Sequence, residues 1–376
     1  MPADLLLVFR EADPRTGGLG IDVADVARGM AARGHAVEVL TMRVPGADAP
    51  NLGPEVAVRA LEPWLRRRPG VAFGLARGAG AVARRGRRIV HLYSCLPVHL
   101  HWAAAAAARR AGRPLVWTPM LHPGRRALWR EHGLAGRAMA AWDAMAVRAA
   151  PRVDAVCAAT RAEAELFRAL GAPRVALVPS GVHAVPPTPD EEARGLRARL
   201  GLSGAPLVLC VAGRPDRRKG LDFAARTLAA LHRRVPGAVL GVVGLPADTP
   251  LARMPGVMAL GRLSLADLRA AYRAADAVLV PSRYEAFSRV VIEAWQQERP
   301  VVVTDRVGLA EAVRGGGGAV VPWGDAGAAA EALAAYLTDP ARATRDGAQG
   351  AQLVAERYLV SHSLDRLEAL YAEVAR

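Results

Sequence analysis

The sequence predicts an α/β protein made of two Rossmann-like, doubly wound parallel-sheet domains. Three observations carry that reading. Short apolar, β-branched runs alternate almost throughout with stretches whose apolar residues recur at helical spacing, the strand-helix-strand pattern of parallel sheets. The 376 residues suffice for two domains of ordinary size, each with its own core. Near the middle, Val185-Pro186-Pro187-Thr188-Pro189-Asp190 reads as a stiff linker. The expected first domain is therefore 1–183 and the second begins at 184.

In chain order, Leu5 to Phe9 is the first strand. The loop Arg15-Thr16-Gly17-Gly18-Leu19-Gly20 leads into a helix over Ile21 to Arg33, and Val37 to Thr41 is the second strand. The glycines let backbone approach a ligand at a helix start. A nicotinamide enzyme is disfavoured, because no third glycine follows at the required spacing and Glu38 lies inside the second strand. Val56 to Leu61, Ile89 to Tyr93, Leu115 to Thr118, Ala155 to Ala158 and Val175 to Val178 continue the first sheet. Ile89 to Ala108 is uncharged and long enough to span a bilayer, yet it carries His91, Pro97, His99 and His101. It reads as a strand followed by an Ala-rich helix. The second sheet is expected from Pro206 to Ala212, Ala238 to Val243, Val257 to Leu260, Ala277 to Val280, Val301 to Thr304 and Ala319 to Val321. The last forty residues are helical.

Charge is unevenly placed. The chain carries +15, of which residues 1–184 contribute +12, and from Pro63 to Arg130 there are 14 arginines and no acidic residue. The Arg66–Arg88 region, with Val71, Phe73 and Leu75 among its arginines, has three readings: a surface for anionic membrane, a site for an anionic acceptor, or solvated arginine from compositional bias. Nucleic acid is not expected, since few aromatics and no binding motif interleave with the arginines. Cys95, Cys157 and Cys210 lack ligand spacing and read as buried free thiols. With no signal segment before the first strand, the chain reads as cytoplasmic, with peripheral contact at the inner face of the membrane as an extension of that reading.

One ammonium stands out. Of 50 basic residues 49 are arginine, and the single lysine is Lys219, in Gly213-Arg214-Pro215-Asp216-Arg217-Arg218-Lys219-Gly220-Leu221 between a strand and a helix. Lysine is a compact point charge suited to a phosphate oxygen, where arginine's planar fork demands a different geometry. The second focus is Pro281-Ser282-Arg283-Tyr284-Glu285-Ala286-Phe287-Ser288-Arg289, where the chain passes from strand to helix at Ser288, the expected N-cap. A helix start at the carboxyl edge of a sheet is an anion site. Glu285 at its mouth and Glu293 within the helix suit hydroxyls rather than phosphate. The ligand inferred from these residues carries both phosphates and hydroxyls.

The Pro-Ser-x-x-Glu-x-Phe-Ser run, with a second glutamate eight positions after the first, resembles the signature loop of retaining, nucleotide-sugar-dependent glycosyltransferases of the GT-B fold, family 4. The Gly17-Gly18 loop, the Arg33-Gly34-His35 turn and Pro179-Ser180-Gly181-Val182 resemble other landmarks of that family, with Ser180 in place of the usual Asn. The resemblance implies two Rossmann-like domains with a cleft between them, a nucleotide-sugar domain over 184–355, and a final helix, 356–376, packing back on the first. It implies transfer of a sugar from a nucleotide diphosphate sugar, a UDP-sugar before a GDP-sugar, to an acceptor held by the first domain: a lipid-linked or anionic glycan, or a small natural product. Arg214 and Lys219 are carried over to the donor diphosphate, Glu285 to sugar hydroxyls and Glu293 to the ribose. Gly17, Gly18, Phe287, Ser288 and Arg289 supply further donor contacts, and Arg262 lies against the base. Where the family often has Thr-x-His, this chain has Met120, and His122 is the nearest imidazole, so His122 joins the catalytic candidates. No Asp-x-Asp motif occurs, and no metal or other cofactor is expected. The rival readings are a nucleotide-sugar epimerase of the same fold and a non-enzymatic basic module that binds membrane or nucleic acid.

Overall fold

The computed structural model describes all residues except 1, 10–11, 13–16, 43–48, 62–87, 94–105, 123, 125–132, 149, 203 and 214–216. They divide into two compact units, Met1–Gly181 with Val360–Arg376, and Val182–Leu359. The Arg66–Arg88 region falls outside the described residues apart from Arg88.

In the first unit, β1 (Asp4–Val8), β2 (Ala36–Met42), β3 (Val56–Leu61), β4 (Arg88–Tyr93), β5 (Leu115–Thr118), β6 (Ala155–Ala158) and β7 (Val175–Leu177) form a parallel sheet in the order β3-β2-β1-β4-β5-β6-β7. Leu5 lies opposite Val37 on one side and Ile89 on the other. Alternate residues of β1 point to opposite faces, and both faces are covered, so the strand reads as a continuous apolar run. Leu5 and Leu7 join Val23, Ala27 and Met30 of α1 (Gly18–Ala32) in one core layer. Leu6 and Val8 join Trp117 and Phe167 in the other, beneath α2 (Gly133–Val147) and α3 (Arg161–Ala169). Helix α1 opens three residues before the expected Ile21, because the weak propensity of Gly18 and Gly20 is outweighed by its packing against β1.

The second unit begins with α4 (Asp190–Arg199). Its sheet contains β8 (Leu207–Val211), β9 (Val239–Val243), β10 (Val257–Gly261), β11 (Ala277–Val280), β12 (Val301–Thr304) and β13 (Gly318–Val321), ordered β10-β9-β8-β11-β12-β13. Helices α5 (Leu221–Leu231), α6 (Leu265–Ala274), α7 (Arg289–Gln296), α8 (Ala310–Arg314), α9 (Ala326–Thr338) and α10 (Pro340–Arg357) surround it. All strands of both sheets match the sequence expectation to within one residue at each end. Strand order reverses between β8 and β11, which places the loops leaving those two neighbours side by side at the carboxyl edge.

The last helix, α11 (Val360–Val374), belongs to the first unit. Val360, Leu364, Leu367, Leu370 and Tyr371 are buried in the α1 core layer. Gly29 seats Leu364, for a Cβ there would lie 2.3 Å from Leu364 Cδ1. On the rim Arg33 pairs with Asp365 at 2.5 Å and Glu368 at 2.8 Å. Inside, Tyr371 Oη lies 2.6 Å from His91 Nδ1, and His91 Nε2 lies 2.7 Å from Thr118 Oγ1. Burial pushes His91 down to about 3, so this bridge between β4, β5 and α11 is neutral at physiological pH. No helix among the described residues is long and apolar enough to cross a membrane.

Candidate functional site at the β8 and β11 loops

The site is built from the second unit's strand reversal. Leaving β8, the chain makes a 3-10 turn, Arg217–Lys219, and reaches Gly220, whose left-handed φ of 64° starts α5. Lys219 ends that turn, between the strand and the helix. A Cβ on Gly220 would lie 1.8 Å from the carbonyl oxygen of Pro281, so only glycine lets this turn press against the end of β11. The Arg283 N–H donates to the Arg218 carbonyl at 2.7 Å and ties the two loops together. As a result Lys219 Nζ donates to Glu285 Oε1 at 2.6 Å, and Ser282 Oγ approaches the same oxygen at 3.2 Å. Both partners are about three-quarters buried, with side-chain exposures of 24% and 22%. Glu285 is fixed from the other side by the loop after β12: its N–H donates to the Arg306 carbonyl at 3.1 Å, and its carbonyl accepts from Gly308 at 2.9 Å.

Helix α7 starts beside this pair. Ser288 occupies the N-cap position but does not cap: its φ is 98°, and its buried Oγ has no hydrogen-bond partner among the described residues. The expected cap needs an extended φ at this position, which Ser288 does not have. Phe287 is buried against Tyr358 with ring centroids 5.9 Å apart, so its backbone, not its ring, faces the site. One turn into α7, Glu293 accepts from Tyr272 Oη at 3.0 Å and lies 3.4 Å from Arg289 Nε. Burial, with Glu293 adjacent, raises the Tyr272 hydroxyl well above the usual phenol range and keeps it a neutral donor.

The other candidates are placed differently. Arg262 is exposed just past β10, which β9 and β8 separate from β11. Gly17 and Gly18 belong to the first unit and open α1 there. Arg214 lies outside the described residues. In the first unit Met120 has a left-handed φ of 53°, and His122 Nδ1 accepts the Gly124 N–H at 3.0 Å, a local turn contact. The Met120 to His122 segment is held by Glu163, a fully buried carboxylate that accepts from the N–H of Leu121 and, at 2.7 Å, from that of Ala159. Burial pushes Glu163 up to about 7. Cys157 and Cys210 are buried free thiols raised to about 12 by the same cause; Cys95 lies outside the described residues. Among the described residues no group of three His, Cys, Asp or Glu is placed to hold a metal ion.

Sequence reasoning missed several contributors. Tyr272 lies on α6 and reaches Glu293 only through packing. Trp323, after β13, has the guanidinium groups of Arg283 and Arg306 over its ring at 5.2 and 5.8 Å, and so contacts both loops that hold Glu285. Neither carries a local motif.

Comparison with known proteins agrees with this geometry. Residues 17–181 match the glycosyl transferase 4-like domain, and residues 205–339 match the glycosyl transferases group 1. A D-inositol 3-phosphate glycosyltransferase of Catenulispora acidiphila is 34% identical over 396 residues, covering 94% of this chain and 90% of that one. Its counterpart in Streptomyces scabiei is 31% identical, over 89% of this chain and 82% of that one. Among solved structures, the sucrose-phosphate synthase of Thermosynechococcus elongatus superposes with a TM-score of 0.82 at 23% identity, over 99% of each chain. Anabaena HepE in complex with UDP gives 0.75 at 20% identity, over 98% of this chain and all of that one. The two sheets, the β8 and β11 loops and these matches agree: the chain belongs to the group 1 glycosyl transferases, with a glycosyl transferase 4-like first domain.

Proposed function

We propose that the chain is a retaining, metal-independent glycosyltransferase of family 4 that moves a sugar from a nucleotide diphosphate sugar to an acceptor hydroxyl. The observation that carries this reading is the Lys219–Glu285 pair, 2.6 Å apart beside the start of α7. It joins a cation for phosphate to a carboxylate for hydroxyls, at the point where α/β sheets bind ligands. UDP-sugars are the first donors to test, since HepE is solved with UDP and with UDP-glucose. D-inositol 3-phosphate is the first acceptor to test, from the names of the relatives.

In this reading Lys219 and Arg214 hold the donor diphosphate together with N–H groups at the start of α7. Cleavage sends the bonding pair of the anomeric C–O bond onto the departing phosphate oxygen. These groups meet that charge, and they stabilise it most in the transition state. The diphosphate draws Lys219 away from Glu285, whose carboxylate then accepts from sugar hydroxyls, while Glu293 takes the ribose. The acceptor attacks from the face the leaving group vacates, and the phosphate oxygen takes its proton. Binding of UDP only to the folded protein raises its melting temperature. The test is UDP-dependent thermal stabilisation, followed by transfer from a panel of UDP- and GDP-sugars to D-inositol 3-phosphate with the product anomer read by NMR. An unchanged melting temperature across the panel, or an inverted anomer, overturns the reading.

A further inference from the structure

The carboxyl ends of β4 and β5 meet a cavity of about 40 Å³ within the first unit, lined among others by Tyr93, Thr118, Met120, Asp22, Asp25 and Ser180. Strand order reverses between β1 and β4, and an α/β sheet takes its ligand at the carboxyl edge beside such a reversal. The space suits about two or three water-sized groups, one substituent of a sugar or polyol rather than a whole ring. Met120 is one of three non-glycine residues with positive φ among the described residues, at 53°. Such a backbone persists where its neighbours hold it.

The hold comes from Glu163, in the first turn of α3. The peptide joining Met120 to Leu121 gives its N–H to Glu163 Oε1, and the Ala159 N–H, just past β6, meets Oε2 at 2.7 Å. The N-cap Thr160 accepts the Glu163 N–H at 3.2 Å, so an ordinary capping box is the simpler explanation for this glutamate. A capping box does not account for the bond to Leu121, 42 positions away, or for complete burial. Glutamine would also serve a capping box. Here each oxygen receives an N–H, and only a carboxylate is an acceptor at both. Protonation adds a donor to one oxygen and weakens the bond that oxygen receives. Burial pushes Glu163 up to about 7, so both forms are populated near neutral pH.

We propose that Glu163 is a positioning residue for the acceptor: its carboxylate sets Met120, and with it one wall of the cavity, and protonation loosens both. This rests on the glycosyl-transfer reading, in which the first domain holds the acceptor. The other titratable groups on the elements around it are few. Burial holds Cys157 on β6 at about 12 and His91 on β4 at about 3. Asp22 and Asp25 line the cavity from α1, and Arg161 and Glu165 are exposed on α3. His122 lies in the segment itself, and histidine ordinarily titrates in the same range, so the experiment separates the two.

The methionine methyl carbons of the full chain, labelled with carbon-13, are followed by NMR between about pH 5 and 8. Met120 is assigned by the signal missing from Met120→Leu. Its signal is expected to move with a midpoint near pH 7 in wild type, and to stay still in Glu163→Gln, which mimics the protonated acid. A signal that is still in wild type, or that moves in Glu163→Gln, overturns the proposal. If Glu163→Gln does not fold, His122→Gln decides: a midpoint that survives there belongs to Glu163, and one that disappears belongs to His122. Transfer from a UDP-sugar to D-inositol 3-phosphate supplies a second reading, as the ratio of the two proteins' acceptor KM, in which titration of the substrate cancels. The Glu163→Gln value is expected to be about threefold or more above wild type at the alkaline end and equal to it at the acid end, with kcat and UDP affinity unchanged. A ratio of one at every pH overturns the proposal. Absence of transfer in both proteins, with the Met120 titration intact, counts against that acceptor and supports the hold of Glu163 on Met120.

Discussion

Replacing Gly220 by alanine tests how the site is assembled. The added Cβ would sit 1.8 Å from Pro281 O, about 1.6 Å short of the 3.4 Å where ordinary contact begins, and its neighbour is a backbone carbonyl at the end of a central strand. The φ of 64° adds about 1 kcal/mol for a residue with a side chain. Relief requires the Arg217–Lys219 turn to withdraw from β11, which breaks the 2.7 Å bond from Arg283 to Arg218, at about 1 kcal/mol. Together with strain left in the loops, Gly220→Ala is expected to cost about 3 kcal/mol in stability. The same withdrawal carries Lys219 out of the 2.6 Å contact with Glu285. A displacement of about 1 Å in a positioned group costs on the order of 100-fold in rate. Urea denaturation measures the first effect and glycosyl transfer from a UDP-sugar the second. A Gly220→Ala protein with wild-type stability and turnover would show that the two loops are not in contact, and the argument for the site would fall with that contact.

Other perturbations have definite signs. Ser288→Gly is expected to stabilise the fold by about 1 kcal/mol in urea denaturation, because it relieves a φ of 98° while removing a hydroxyl that has no partner among the described residues; a loss of stability refutes the strain. Glu163, raised from 4.5 to about 7, binds its proton more tightly when folded, so its contribution is fully present below pH 4.5 and is lost as pH rises to 7. Stability of wild type relative to Glu163→Gln should therefore fall by about 3 kcal/mol across that window and stay flat above it. Tyr371→Phe removes the hydroxyl 2.6 Å from buried His91 and should cost about 2 kcal/mol in thermal unfolding, because the imidazole nitrogen is left without its partner; no change would show the bridge to be unimportant. Anionic vesicles should retain wild type and release a variant neutralised from Arg84 to Arg88, and indifference to lipid charge ends the membrane reading of that block.

The fold was largely legible in the sequence because parallel strands buried on both faces leave short uninterrupted apolar runs alternating with helical spacing, as at Leu5 to Val8 and Ala277 to Val280. Lys219 drew attention through composition, and Glu285 and Glu293 through the resemblance of their loop; the contact between Lys219 and Glu285 is what the structure adds. What escaped notice depends on contacts between distant residues. Gly220 matters because Pro281 lies against it, Ser288 fails to cap at its φ of 98°, and Tyr272, Trp323 and His91 act through partners that no local pattern announces. Helix α1 began early because packing outweighed the propensity of its glycines.

The affinity of Lys219→Ala for UDP, set beside its far-ultraviolet circular dichroism and its turnover of a UDP-sugar, bears most directly on the account. A folded variant whose UDP affinity falls about tenfold or more, and whose turnover falls by about 10²–10³, is the predicted result. A folded variant that binds UDP and turns over as wild type does would contradict it.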